Sequence, residues 1–309
     1  ISLSDDETDV AGSSQGDRND EPVSSTDRDQ GDADTIRVAD ERSRTVPEQD
    51  SLIEPGLLVV SPTQSGRGVY ASLDEACRVA TSGDVIELQF DGMLPAEPIS
   101  LQNLNLTIRA GAGFTPIVRY EPAASRGAAP RRSLLTLTGG RLTLVGVEFD
   151  LQLPSDVPSD TWSLFRIVKA EAVRLERCTL TVTQQQDDPD TEVAVFRLED
   201  TPIIFTGAAN VVSEIELQDC IARGEADLVR VKGPVPVAIT WSNGLLATSR
   251  RLLEATGTGI QAEDESAGIE LELNHVTAAM QEGLCLLNET QRTPSLGPVR
   301  NLVAEWMTM

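Results

Sequence analysis

Three arginines recur at nearly equal intervals in this chain. Arg166, Arg197 and Arg230 stand 31 and 33 residues apart, each at the same place in the phrase around it: Ser163-Leu164-Phe165-Arg166-Ile167, Ala194-Val195-Phe196-Arg197-Leu198 and Asp227-Leu228-Val229-Arg230-Val231. A guanidinium is a planar fork of donors that suits carboxylate or sulfate. Three of them on one face suit an extended anionic ligand, or need carboxylates of their own such as Glu199, Glu225 or Asp227. Trp162, just before the first phrase, offers a ring on which a sugar could stack. These four are the candidate ligand-binding residues. No catalytic residue is assigned. The single histidine, His275, has no partner suggested by spacing, and Asp187-Asp188 falls in a polar loop. With one His and no CxxC pair, no metal is expected, and no cofactor either.

What must position the arginines is the phrase itself. It opens again at Ser133, Arg251 and Gly283, and its first apolar residues are Leu134, Leu164, Val195, Leu228, Leu252 and Leu284, at steps of 30, 31, 33, 24 and 32 residues. Recurrence at this period means one structural unit stacked on itself. A second phrase keeps step: Leu142-Leu144-Val147-Phe149, Val173-Leu175-Cys178-Leu180, Ile215-Leu217-Cys220-Ala222, Ile239-Trp241-Gly244-Leu246 and Leu271-Leu273-Val276-Ala278. Alternation, a three-residue step, then alternation again describes two short strands joined by a corner. The corner position runs Gly146, Arg177, Asp219, Asn243, His275, mostly types that suit a tight bend. Stacked in register, the three arginines stand about 5 Å apart, and unpaired they repel by roughly 3 kcal/mol per neighbour at an effective dielectric of 20.

Composition bounds the function classes. Of 309 residues, 4% are aromatic, and Gly and Pro number 23 and 17, which favours an all-β stack of short strands. A net charge of −24 argues against nucleic acid. No apolar run is long enough to span a membrane. Cys178 and Cys220 share one inward column, Cys285 lies in another, and Cys77 sits on a helix face. All read as small core hydrophobes, with a Cys178–Cys220 bridge left open if their coils are adjacent. Residues 1–54 carry 16 acidic and 5 basic residues and no aromatic. They read as a disordered acidic linker ahead of a folded domain over 55–309, tethered to an upstream domain of the same polypeptide. Val299 to Met309 is expected to pack over the last coil.

The run Ser72-Leu73-Asp74-Glu75-Ala76 with Ala80 and Gly83-Asp84-Val85-Ile86-Glu87-Leu88 reads as a short helix and a strand. Ser72 and Glu75 have the capping-box spacing, and Leu73, Ala76, Cys77 and Ala80 form one apolar face. This run resembles the N-terminal capping helix and first strand of the right-handed parallel β-helix superfamily, the pectin-lyase-like fold, and the repeats carry the likeness over roughly 57–309. The resemblance implies an all-β, right-handed, single-stranded parallel β-helix with a short N-terminal capping helix. The architecture also resembles C-terminal regions of large bacterial multidomain proteins. Carbohydrate-active members of the superfamily carry motifs that this chain lacks: His275 has no flanking glycines, and Arg166-Ile167-Val168-Lys169 only grazes an Arg-Ile-Lys element. The expectation is a non-catalytic binding module for an extended, acidic polysaccharide, in an extracytoplasmic or cell-envelope setting. Two alternatives stay open: a divergent polysaccharide lyase or glycoside hydrolase, and a structural spacer without ligand.

Overall fold

A computed structural model describes residues 56–122, 132–185, 191–199, 212–257 and 268–288, with the backbone of strand 299–308. The acidic segment 1–54, most of the Pro/Ala/Arg-rich stretch 121–132 and the Asp187-Asp188 pair lie outside the described residues. All described strands pair in parallel, in one sheet of fourteen strands and one of seven. The registers are those of the repeat: Ser133 pairs with Ser163, Ser163 with Ala194, Ala194 with Asp227 and Arg251 with Gly283. Residues one period apart in sequence are therefore neighbours across a ladder, and the architecture is a parallel β-helix.

Each full coil passes through three strand columns. In one coil these are Arg141–Val145, Glu148–Leu153 and Thr161–Val168. The first two belong to the large sheet. From Ser213–Gly224 onward they fuse into single twelve-residue strands bent at the corner. The bend is made by one residue in the left-handed region: Gly146, Arg177, Asp219, Asn243 and His275 have φ of 67°, 52°, 55°, 52° and 55°. Four of the five carry a Cβ there, which costs more for most residues than for Gly or Asn. Asn243 also donates to Asp219 Oδ1 at 2.5 Å, so the corner column bonds to itself. Arg177→Asn is therefore expected to raise stability by up to about 1 kcal/mol, read as a higher urea midpoint. A lower midpoint would mean that the Arg177–Glu176 ion pair outweighs the backbone term.

The interior is filled by the inward columns. Phe165 lies edge-on to Phe149, centroids 5.5 Å apart, and stacks on Phe196 at 5.2 Å. Leu164 and Phe165 are both fully buried although consecutive. The ladder explains this: the paired residues step from Ser163 and Ala194 directly to Phe165 and Phe196, so the strand kinks between them. That kink is the physical meaning of the apolar doublet in the phrase.

The N-terminal end is closed by helix Leu73–Val79, which packs on strands Leu57–Val60, Val69–Tyr70 and Ile99–Gln102. Ser72 accepts from the Glu75 N–H and Glu75 Oε2 accepts from the Ala71 N–H, a capping arrangement that starts the helix. Leu73, Ala76 and Cys77 are the face it buries. At the other end the structure differs from expectation. Strand Val299–Thr308 does not fold over the last coil but pairs with Ile269–Met280 as one more parallel rung, with its register shifted near Asn274. Cys285, expected inside, is exposed on Gly283–Asn288, the last strand of the seven-stranded sheet.

Candidate functional site

The seven-stranded sheet turns one face outward, and the arginines stand on it in register. Ser100, Thr136, Arg166, Arg197, Arg230, Glu254 and Leu286 follow one another across the ladder. At about 4.8 Å per strand the face is about 30 Å long. A second outward row two residues further on contains Glu199, Lys232, Thr256 and Asn288. The inward residues of these strands are core, and the ladder sets the spacing of the outward side chains.

None of the three arginines is left to repel its neighbours. Glu199 accepts from Arg166 Nε at 3.2 Å and also pairs with Arg197, whose Nη1 donates to the Thr161 carbonyl at 3.0 Å. Arg230 reaches Glu254 Oε1 at 2.5 Å and Glu192 Oε2 at 3.4 Å. Glu254 continues to Arg251 at 3.2 Å, and Arg251 to Glu282 at 2.5 Å. Thr161 Oγ1 donates to Glu192 at 2.9 Å, which joins the two halves of the network. Of the three partners expected, only Glu199 is in an ion pair with the ladder. Glu225 instead accepts from the Gln184 N–H at 2.6 Å. Glu192 and Glu254 are the partners the expectation missed. Glu254 stood at the arginine position of its own phrase and was visible there.

Asp227 lies beneath the ladder, completely buried. Its Oδ1 accepts from the Arg251 N–H at 3.1 Å, while Oδ2 meets no hydrogen-bond partner. Burial pushes its carboxyl up to about 6. Arg230 opposes that shift, Glu254 adds to it, and the Arg251 N–H and Arg250 oppose it. The folded protein thus holds this proton between about pH 4 and pH 6, where an unfolded chain has released it. Stability from this group is full below about pH 4 and is lost as pH rises through 6, by about 3 kcal/mol for a shift of this size. Asp227→Asn should remove that dependence, so the variant gains on the wild type as pH is raised from 4 to 8. Parallel stability–pH curves for the two proteins would overturn the assignment.

Trp162 requires a correction. The strand begins at Thr161 rather than at the phrase, and Trp162 pairs in its ladder with Val193. Its side chain is fully buried and its Nε1 donates to the Pro158 carbonyl at 3.2 Å, so no sugar can stack on it. The polar groups that do reach solvent are others. A shallow cleft on the outward face is lined by Thr161, Glu192, Arg197, Glu199, Lys232 and Thr256, among others. Lys232 is exposed and, among the described residues, the cation of this face without a carboxylate partner. Its position two residues beyond Arg230 in the phrase was the signal for it. No helix among the described residues is long and apolar enough to cross a membrane.

No family model matches this chain, and no curated protein does. Among solved structures it is similar to a pectin methylesterase mutant crystallised in complex with a hexasaccharide. The identity is 11%, over 74% of this chain and 80% of that one, with a TM-score of 0.40. The fold described above rests on the strand registers of this chain itself.

Proposed function

We propose that this domain is a non-catalytic interaction module that holds an extended polysaccharide along the outward face of the seven-stranded sheet. One observation supports the reading: the in-register row of hydroxyl, guanidinium and carboxylate groups from Ser100 to Glu254, whose arginines are held by ion pairs. Preorganised donors and acceptors lose little freedom when a ligand's hydroxyls replace water on them. Four arginines here, Arg166, Arg197, Arg230 and Arg251, pair with four carboxylates, Glu192, Glu199, Glu254 and Glu282. With that balance a densely charged polyanion gains little, and Lys232 is the point where a sparse acidic substituent would bind. In this reading the acidic segment 1–54 tethers the module to the rest of an extracytoplasmic polypeptide.

The test is a polysaccharide panel of neutral, uronic and sulfated chains, probed with the full chain at low and high salt. Binding with a shallow salt response that Lys232→Ala flattens is the expected result. Absence of binding at either salt would sink the reading and favour the second one, a ligand-free spacer. That second reading has its own support, since every arginine of the ladder already has a carboxylate. A lyase or hydrolase needs two carboxyls facing one sugar bond, and Asp227, whose carboxyl is raised toward neutrality, is buried away from any substrate.

A further inference from the structure

Two thiols meet inside the corner column. Cys178 and Cys220 are 1% and 0% exposed. Their flanking residues are register partners, Glu176 with Gln218 and Thr179 with Ile221, so the two cysteines stand opposite each other on successive coils. Neighbouring parallel strands lie about 4.8 Å apart, inside the 4.4–6.8 Å range of Cα separations that a disulfide spans. Both thiols lean the same way along the column, Cys178 Sγ toward the Leu144 carbonyl at 3.5 Å, so closing the bond needs Cys178 to turn toward Cys220. Cys220 Sγ lies 3.2 Å from the carbonyl of Gln218 in its own coil and 3.5 Å from that of Leu175, in the coil that carries Cys178. It leans across the gap. The nearness of each thiol to the other lowers the Cys178 thiol and raises that of Cys220. The other cysteines are placed differently: Cys77 is buried on the capping helix, and Cys285 is exposed on the last strand.

We infer that Cys178 and Cys220 form a covalent cross-linking site, where a disulfide-class oxidant joins two successive coils. With glutathione disulfide, the Cys178 thiolate attacks one sulfur, forms a mixed disulfide and releases one glutathione thiolate. Cys220 then passes its proton to that thiolate and attacks Cys178 Sγ, which expels the second glutathione. Two protein thiols are oxidised, and one glutathione disulfide is reduced to two glutathiones. Both sulfurs are shielded, so the reaction runs through local opening of the corner. The linked coils are those that carry the Arg197–Glu199 pair and Arg230, so the bond would lock the spacing of the outward ladder. Cβ atoms at the strand spacing sit slightly wider than in a relaxed disulfide, which makes this an easily reduced bond.

The experiment incubates the native full chain with excess glutathione disulfide under mild warming. Once any glutathione carried by the exposed Cys285 is accounted for, intact mass should fall by about 2 Da for the two hydrogens lost, two of the four thiols should be consumed in the cross-link, and peptide mapping should recover the 178–220 pair. The urea midpoint should rise and return on treatment with dithiothreitol. Cys178→Ser, or Cys220→Ala if the first variant misfolds, should show no mass loss. An unchanged mass in wild-type protein, or a bond that includes Cys77 or Cys285, would overturn the inference.

Discussion

Arg230→Ala is expected to lower the unfolding free energy by about 3 kcal/mol, because it removes one partner from a nearly buried ion pair. Arg230 and Glu254 are only 11% and 8% exposed along their side chains, so neither is served by bulk water. Truncation leaves Glu254 with Arg251 alone and removes the charge that most holds down the Asp227 carboxyl. Asp227 then titrates above its present value of about 6. The loss should therefore be larger at pH 8 than at pH 5, and Asp227→Asn in the same background should recover part of it at the higher pH. Urea denaturation of the four proteins at the two pH values measures both effects. A loss below about 0.5 kcal/mol, equal at both pH values, would mean that the network behaves as an exposed surface pair. The result also governs how binding data are read. Weak polysaccharide binding by Arg230→Ala says nothing about contact unless the variant is first shown to be folded, whereas Lys232→Ala breaks no ion pair among the described residues.

Much of the fold was legible because the repeat is a register. A ladder pairs residues one period apart, so the recurring phrase predicted that Arg166, Arg197 and Arg230 would be neighbours, and they are. The corner column was legible for the same reason, since its polar residues sit where φ becomes positive. Phase outside the phrases was not legible. Nothing before Ser163 marks the start of the strand at Thr161, so Trp162 was read as a ring open to a sugar although it is core. Ion-pair partners were only half visible. Glu254 lies directly beside Arg230 in the ladder, but Glu192 approaches it from another row of the neighbouring strand, and spacing alone does not select diagonals. The same holds for Asp227. At the opening position of its phrase, Ser133, Ser163 and Ala194 are buried as well, and only the fold shows that a carboxylate shares their environment.

Gly244→Val, in the large sheet, should cost about 3 kcal/mol or more through overpacking. Before the corner the inward column runs Leu144, Leu175, Leu217, Trp241, Leu273, and after it Val147, Cys178, Cys220, Gly244, Val276. The one coil with tryptophan before the bend has glycine after it. A Cβ at Gly244 would lie 2.8 Å from Trp241 Cζ2 and closer still to Cε2 and Nε1, so the indole occupies the space a side chain would need. The ring cannot easily yield, because it is fully buried and confined by the coils on either side. Its Nε1 has no hydrogen-bond partner, so packing alone holds it there. Trp241→Leu on its own should cost about 3 kcal/mol through the cavity it leaves. The two changes together recreate the Leu273 and Val276 pairing of the next coil, so the double variant should be more stable than either single one. Equilibrium unfolding of the three variants measures that coupling. Additive losses would show that the large residue and the small one are not complementary, and that the glycine serves the backbone instead.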